Sequence, residues 1–206
     1  MLPMRTIEKT LTLVIALAAL SSFANAKEPA AAPFMAKAGQ TTRPAGYSEF
    51  CKKHRSECQV KTRGDARVRL TTGRWNELVA VNTAINEAIE PVTDQELFGD
   101  EEVWTYPISK GDCEDFVLLK RRELIKRGWP IGSLLVTVVR QQNGDGHAVL
   151  TVLTDRGDVV LDNLEKDVRV WNQTPYRYVK RQSQFDTGNW VAIDDARPTS
   201  VGSLKR

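Results

Sequence analysis

Apolar positions recur along this chain in two different periods, and the change of period divides it. Trp75, Leu78, Val81, Ile85 and Ile89 repeat at three- and four-residue spacing, which predicts an amphipathic helix from Trp75 to Glu90 with Pro91 fixing its end. A second helix is predicted from Asp112 to about Arg127, stopped by Gly128 and Pro130. Its run Phe116 to Leu119 is apolar on every side, while Leu124 and Ile125 continue only one stripe. The N-terminal half of this helix is therefore expected to be buried all round and the other half to reach the surface. Beyond Pro130 the pattern turns strand-like. Leu134 to Arg140 is apolar on both faces and so central; Ala148 to Thr154, Val159 to Asp162 and Tyr176 to Gln182 follow. Asp155-Arg156-Gly157-Asp158 is a turn signal that makes a hairpin of the second and third runs.

The ends read differently. Residues 1–26 carry a basic start at Arg5 and Lys9, an apolar run from Leu11 to Leu20, and the small-x-small pattern Ala24-Asn25-Ala26, which together predict an export signal. The apolar run is short for a membrane span, which needs about 20 residues. Residues 27–44, rich in Ala, Pro and Gly, are expected to be a flexible leader. The domain is then expected over residues 45–195, with a flexible tail over 196–206, in a protein that is exported. With 206 residues, 41% hydrophobic and 27% charged, the chain supports one domain with one core. A net charge of +3 is too small and dispersed to argue for nucleic acid. Lys120, Arg121, Arg122, Lys126 and Arg127 do cluster, but on the C-terminal half of a helix, where cations complement the dipole and are expected to face solvent.

Export changes how the three cysteines are counted. In an oxidising compartment the neighbours Cys51 and Cys58 are expected to pair, leaving Cys113 odd. Seven residues of unbroken helix would hold their alpha carbons roughly 10 Å apart, too far for a bridge, so the chain must turn near His54 to Ser56. The competing reading, a metal held by both cysteines and His54, lacks a visible fourth ligand.

Cys113 lies in Gly111-Asp112-Cys113-Glu114-Asp115-Phe116, at the first turn of the predicted helix with Asp112 as its N-cap. A thiolate there is stabilised by the helix N-terminus, the usual setting of a reactive cysteine. The flanking carboxylates oppose it, so an activated Cys113 needs a cationic partner or a metal. A small residue packing a helix start explains Cys113 equally well. The acidic connection from Pro91 to Lys110 is either a solvated loop or shares an oxygen-ligand cation such as calcium with Asp112, Glu114 and Asp115. His147 follows the glycine-rich approach Asn143-Gly144-Asp145-Gly146 and opens a strand. A lone histidine is more often structural, yet Asp162 or Asn163 could orient its ring for proton transfer.

Taken together, Gly111 to Phe116, then Gly144-Asp145-Gly146-His147-Ala148-Val149-Leu150, then Val160-Leu161-Asp162-Asn163, resemble the bacterial transglutaminase-like cysteine proteinase family, which includes the LapG-type periplasmic proteases that release biofilm adhesins. The resemblance spans roughly Tyr47 to Trp190. It implies an α+β fold, papain-like and transglutaminase-like, in which a helical part carrying the cysteine packs on an antiparallel β-sheet. It also implies Cys113 as nucleophile, His147 as general base and acid, and Asp162 as the orienting acid of an enzyme with a protein or peptide substrate. LapG-type members are calcium-dependent through carboxylates flanking the nucleophile; Asp112 and Glu114 match those flanks and Asp115 adds to them. Known members also depend on a membrane receptor, so an inner-membrane regulator is an implied partner. The same acyl-thioester chemistry would serve a transglutaminase or an amidase acting on cell-wall peptide, and a non-catalytic binding module could keep the fold. One feature strains the triad. A tight turn at Arg156-Gly157 would set Asp162 opposite Thr151, about four residues or roughly 13 Å along the strand from His147, so a wider turn, a bulge or a bend is expected.

Overall fold

The computed structural model describes residues 33–197. The expected export signal, the first part of the leader and the tail from 198 onward lie outside the described residues. In chain order the elements are β1 (Ala36–Thr41), α1 (Ala45–Lys53), α2 (Thr72–Ala88), β2 (Glu90–Pro91), α3 (Asp94–Phe98), β3 (Lys110–Gly111) and α4 (Cys113–Lys126). They continue with β4 (Leu134–Arg140), β5 (Gly146–Thr154), β6 (Gly157–Leu161), β7 (Arg169–Val170), β8 (Arg177–Gln182) and β9 (Trp190–Asp194). Seven strands form one antiparallel sheet in the order β1-β9-β8-β4-β5-β6-β7, and β2 pairs in parallel with β3. The fold is α+β. No described helix is long and apolar enough to cross a membrane.

Helix α4 lies against β5 and β4 on one side and against α2 on the other. Because side chains alternate along a strand, β5 sends Ala148, Leu150 and Val152 into a core shared with Leu78, Val81, Phe116, Val117 and Leu124. Its Val149 points the other way, into a smaller cluster with Met35, Val139, Val160, Trp171, Tyr176 and Tyr178. Both faces of the sheet are covered, which is why β4 and β5 read as apolar on both faces. Helix α2 starts where the Thr71 hydroxyl accepts the Arg74 N–H at 3.3 Å and ends at Ala88; Pro91 already belongs to β2.

Four sequence expectations are corrected. The stretch expected as a leader holds β1, paired with β9, and Met35, whose N–H donates to the buried Asp158 Oδ2 at 2.9 Å. The expected tail begins with ordered chain, because Arg197 donates to the carbonyls of Trp171 and Thr174 at 3.3 and 3.1 Å and pairs with Asp195 at 2.7 Å. The acidic connection contains α3, started by a reciprocal Thr93 and Glu96 capping box and closed by Gly99 at φ 70°. Lys120 and Arg121 do not face solvent. They are 0% and 2% exposed, since α4 is covered on two sides and their long aliphatic stems pack like core residues. Arg121 Nε donates to the Leu134 carbonyl at 3.0 Å, and Lys120 Nζ lies 5.7 Å from the Phe116 ring centre.

Cys51 and Cys58 form a disulfide with alpha carbons 5.7 Å apart. Helix α1 stops at Lys53, His54 leaves helical geometry, and a 3-10 turn over Arg55–Glu57 folds the chain back. With both sulfurs bonded to each other, His54 has no thiolates to share a metal with; its ring stacks on Phe50 at 4.4 Å.

Candidate active site

Cys113 is the first residue of α4, at the positive end of the helix dipole. The chain enters tightly: a side chain at Gly111 would meet the Asp115 carboxylate at 2.7 Å. Asp112 occupies the N-cap position, but its carboxylate makes no capping hydrogen bond, contrary to expectation. The Cys113 sulfur accepts the Ala148 N–H at 3.3 Å, and its thiol donates to Glu114 Oε2 at 3.0 Å. The start of α4 and the start of β5 therefore meet at the sulfur, next to His147.

His147 and Asp162 meet as well, and the strand register explains how. The two-residue turn is Asp155-Arg156, with Thr154 opposite Gly157 and Leu150 opposite Leu161. This is one residue earlier than the sequence suggested. Continued by one step, the register sets Asp162 opposite Val149, on the same face as His147 and only two residues away, a diagonal within side-chain reach. His147 Nε2 lies 2.8 Å from Asp162 Oδ1 with both groups buried. The wider turn or bulge expected to join them is not needed.

Asp162 is held from several elements. Its Oδ1 also accepts the Leu164 N–H at 3.0 Å, its Oδ2 accepts the Tyr176 hydroxyl at 2.5 Å, and its carbonyl accepts Asn86 Nδ2 at 2.8 Å. Burial alone would raise its pKa, but the hydrogen bonds from His147, Tyr176 and the Leu164 N–H outweigh it and hold the carboxyl below the usual range. The sequence signalled neither Tyr176, which reads only as the start of a strand, nor Asn86, which sits on the polar side of an amphipathic helix.

The acids around the thiol are arranged otherwise. Ligand oxygens of Asp94, Asp112 and Glu114 lie within 4.8 Å of one another. Asp94 comes from α3, so the acidic connection does reach the cysteine. Asp115 is not one of the three; its Oδ1 accepts the Thr105 N–H at 2.8 Å, and its Oδ2 is buried without a hydrogen-bond partner. Asp94 Oδ1 and Asp112 Oδ1 are buried without a hydrogen-bond partner. Burial, then the neighbouring charges of Glu114 and Asp94, pushes Asp112 up to about 8; burial also raises Asp94 and Glu114 and takes Asp115 to about 8. Burial and then the Glu114 charge push the Cys113 thiol well above its ordinary value. Converging, partly unsatisfied carboxylates suit a hard divalent cation, which takes oxygen ligands in flexible geometry. Cys113, His147 and these three acids line one open cleft of about 700 Å³, with Trp104 and Lys180 also on its walls.

The chain belongs to the bacterial transglutaminase-like cysteine proteinase family (BTLCP), whose description matches residues 37–198. It is a cysteine protease with a protein or peptide substrate. No curated protein matches it. Among solved structures it is similar to calcium-bound Legionella pneumophila LapG, at 26% identity over 63% of this chain and 74% of that one, with a TM-score of 0.49. A second structure of Legionella pneumophila LapG gives 26% identity over 57% and 68%, with a TM-score of 0.48. The EGTA-treated protein gives 25% over 62% and 73%, also at 0.48.

Proposed function

We propose that this protease uses Cys113, His147 and Asp162 as a catalytic triad and passes through an acyl-thioester. One observation carries the reading: the His147 Nε2 to Asp162 Oδ1 contact of 2.8 Å stands one residue from the Ala148 N–H that touches the Cys113 sulfur. With Nε2–H given to Asp162, Nδ1 is the nitrogen left to take the thiol proton. The thiolate attacks the scissile carbonyl, and the leaving amine departs with a proton from the imidazolium. Water, deprotonated by His147, then attacks the thioester; the carbon–sulfur bond breaks and Cys113 is restored. Gly146 lines the same cleft as Cys113 and His147.

Asp94, Asp112 and Glu114 would hold a calcium ion, which supplies positive charge beside the sulfur. With Glu114 engaged in that way, the thiol loses its present acceptor and the carboxylate charge that opposes its ionisation. Export to the periplasm is supported by the Cys51–Cys58 disulfide, a bond that persists in oxidising compartments. There the substrate would be a surface adhesin or another periplasmic protein, under an inner-membrane regulatory receptor.

The test is intact-protein mass after iodoacetamide treatment across pH, with calcium or with chelator. Calcium should let Cys113 alkylate in the native protein below the ordinary thiol pKa, and His147→Ala should move that reaction to higher pH. Alkylation only after denaturation would make Cys113 a packing residue and end the proposal.

A further inference from the structure

We infer that Tyr176 is a positioning residue of this site, acting on the reaction through Asp162; the inference rests on the triad reading above. Tyr176 is buried, and its hydroxyl donates to Asp162 Oδ2 at 2.5 Å. The other oxygen is taken by His147 and the Leu164 N–H. The terminal torsion of an aspartate is broad, so a carboxylate held by one oxygen swings, and one held by both keeps its plane. Tyr176 supplies that second hold. The same side chain also backs the base, since its ring centre lies 5.4 Å from that of His147 at an interplanar angle of 53°.

Tyr176 is itself fixed from outside the site. It precedes β8, and its carbonyl accepts Arg197 Nη2, while the same guanidinium donates to the carbonyls of Thr174 and Trp171. Arg197 is paired with Asp195 and lies over the Trp171 and Tyr178 rings at 4.7 and 5.4 Å. The residues after β9 thus clamp the segment that carries the tyrosine. Burial, then its bond to Asp162, pushes the phenol upward, so it stays a donor at working pH. A residue that merely fills the second core cluster would be replaced by Phe without consequence. A positioning residue would not.

The experiment is a double-mutant cycle of Tyr176→Phe and Asp162→Asn in the full chain with calcium in excess. The readouts are the second-order rate of Cys113 alkylation by iodoacetamide at pH 7, kcat and KM on casein, and the thermal midpoint. Tyr176→Phe alone should slow alkylation and kcat by about tenfold or more with KM nearly unchanged, and the midpoint should fall by several degrees, because a buried hydrogen bond to a charged group is lost. In the Asp162→Asn background the same change should cost less than about twofold, the non-additivity expected of groups that act as one. Equal losses in both backgrounds, or a Tyr176→Phe protein at the wild-type rate beside a slow Asp162→Asn, would overturn this inference alone. A wild-type rate for Asp162→Asn would overturn the triad reading and this inference with it. If Tyr176→Phe does not fold, Arg197→Lys, which loosens the clamp and leaves the phenol in place, is read in the same cycle with the same outcomes.

Discussion

Two sets of carboxylates in the site, Asp162 on the histidine side and Asp94, Asp112 and Glu114 on the helix side, are finished to different degrees. Asp162, on the histidine side, accepts hydrogen bonds from His147, Tyr176 and the Leu164 N–H, and its charged form is favoured in spite of burial. On the helix side, Asp94 and Asp112 each keep a buried oxygen with no partner, and burial pushes every acid of the set upward. Buried polar groups are normally satisfied, and an unsatisfied one calls for an explanation. The first set is satisfied by partners within the protein; the second leaves buried oxygens without one. On the proposed roles, the orienting half of the site is permanent and the activating half conditional on a cation.

The largest way to break this contrast is to withdraw the cation. Chelation should abolish activity and lower the thermal midpoint, and calcium should restore both by mass action. Asp94→Asn, Asp112→Asn and Glu114→Gln should each raise the calcium needed for half-maximal stabilisation, while Asp115→Asn, outside the cluster, should change it much less. Equal activity and equal midpoints in chelator and in calcium would leave the helix-side acids as a purely structural oddity.

Asp162→Asn attacks the other set. In excess calcium it should reduce kcat by up to about four orders of magnitude, the loss that follows when the imidazole takes the wrong tautomer in a comparable triad, and leave the calcium midpoint where it was. A shift in calcium affinity would mean that the two sets are coupled, and the comparison would have to be redrawn.

Breaking the disulfide serves as the control between them. Cys51→Ser with Cys58→Ser should cost about 2–3 kcal/mol of stability, as loop-closure scaling gives for so short a loop. Both cysteines lie outside both acid sets, so calcium response and kcat at low temperature should not move. Loss of either would show that the bridge, through α1, whose Ala45 lines the cleft, holds the site in shape.

Much of this was legible in the residues because it depended on local pattern. α2, α4, β4 and the β5–β6 hairpin follow from period and punctuation, and the pairing of Cys51 with Cys58 from spacing plus compartment. What was missed depends on partners distant in sequence. β1 exists because β9 offers it an edge, and nothing in Ala36–Thr41 announces a strand. Asp94 joins Asp112 because α3 folds back over the start of α4, which the acidic run alone left undecided between loop and ligand. The placing of Asp162 hinges on a single residue: the signal Asp155-Arg156-Gly157-Asp158 suits a turn centred on Arg156-Gly157 as well as the observed one on Asp155-Arg156, and moving a turn by one position moves the strand partner by two.

Lys120 offers a last test, read in stability and not in rate, and bears on whether the histidine-side set is really finished. Its ammonium is buried with no hydrogen-bond partner, and the Asp162 charge is the interaction that favours it. Burial takes its pKa from 10.5 to about 7, so the folded protein binds this proton less tightly than the unfolded chain does. The penalty on folding is then complete below about pH 7, shrinks as pH rises, and is gone above about 10.5. Lys120→Met keeps the packing stem and removes the charge, so it should raise the thermal midpoint at pH 6 and do little at pH 10. The rise should be on the order of ten degrees, since a fall from 10.5 to about 7 is worth roughly 5 kcal/mol and a chain of this size moves about 2–4 °C per kcal/mol. If the midpoint falls at pH 6 instead, attraction to Asp162 exceeds the cost of burial. Lys120 would then count as a further member of the set that holds the triad acid, and that set would be shown to draw on α4 as well as on the strands.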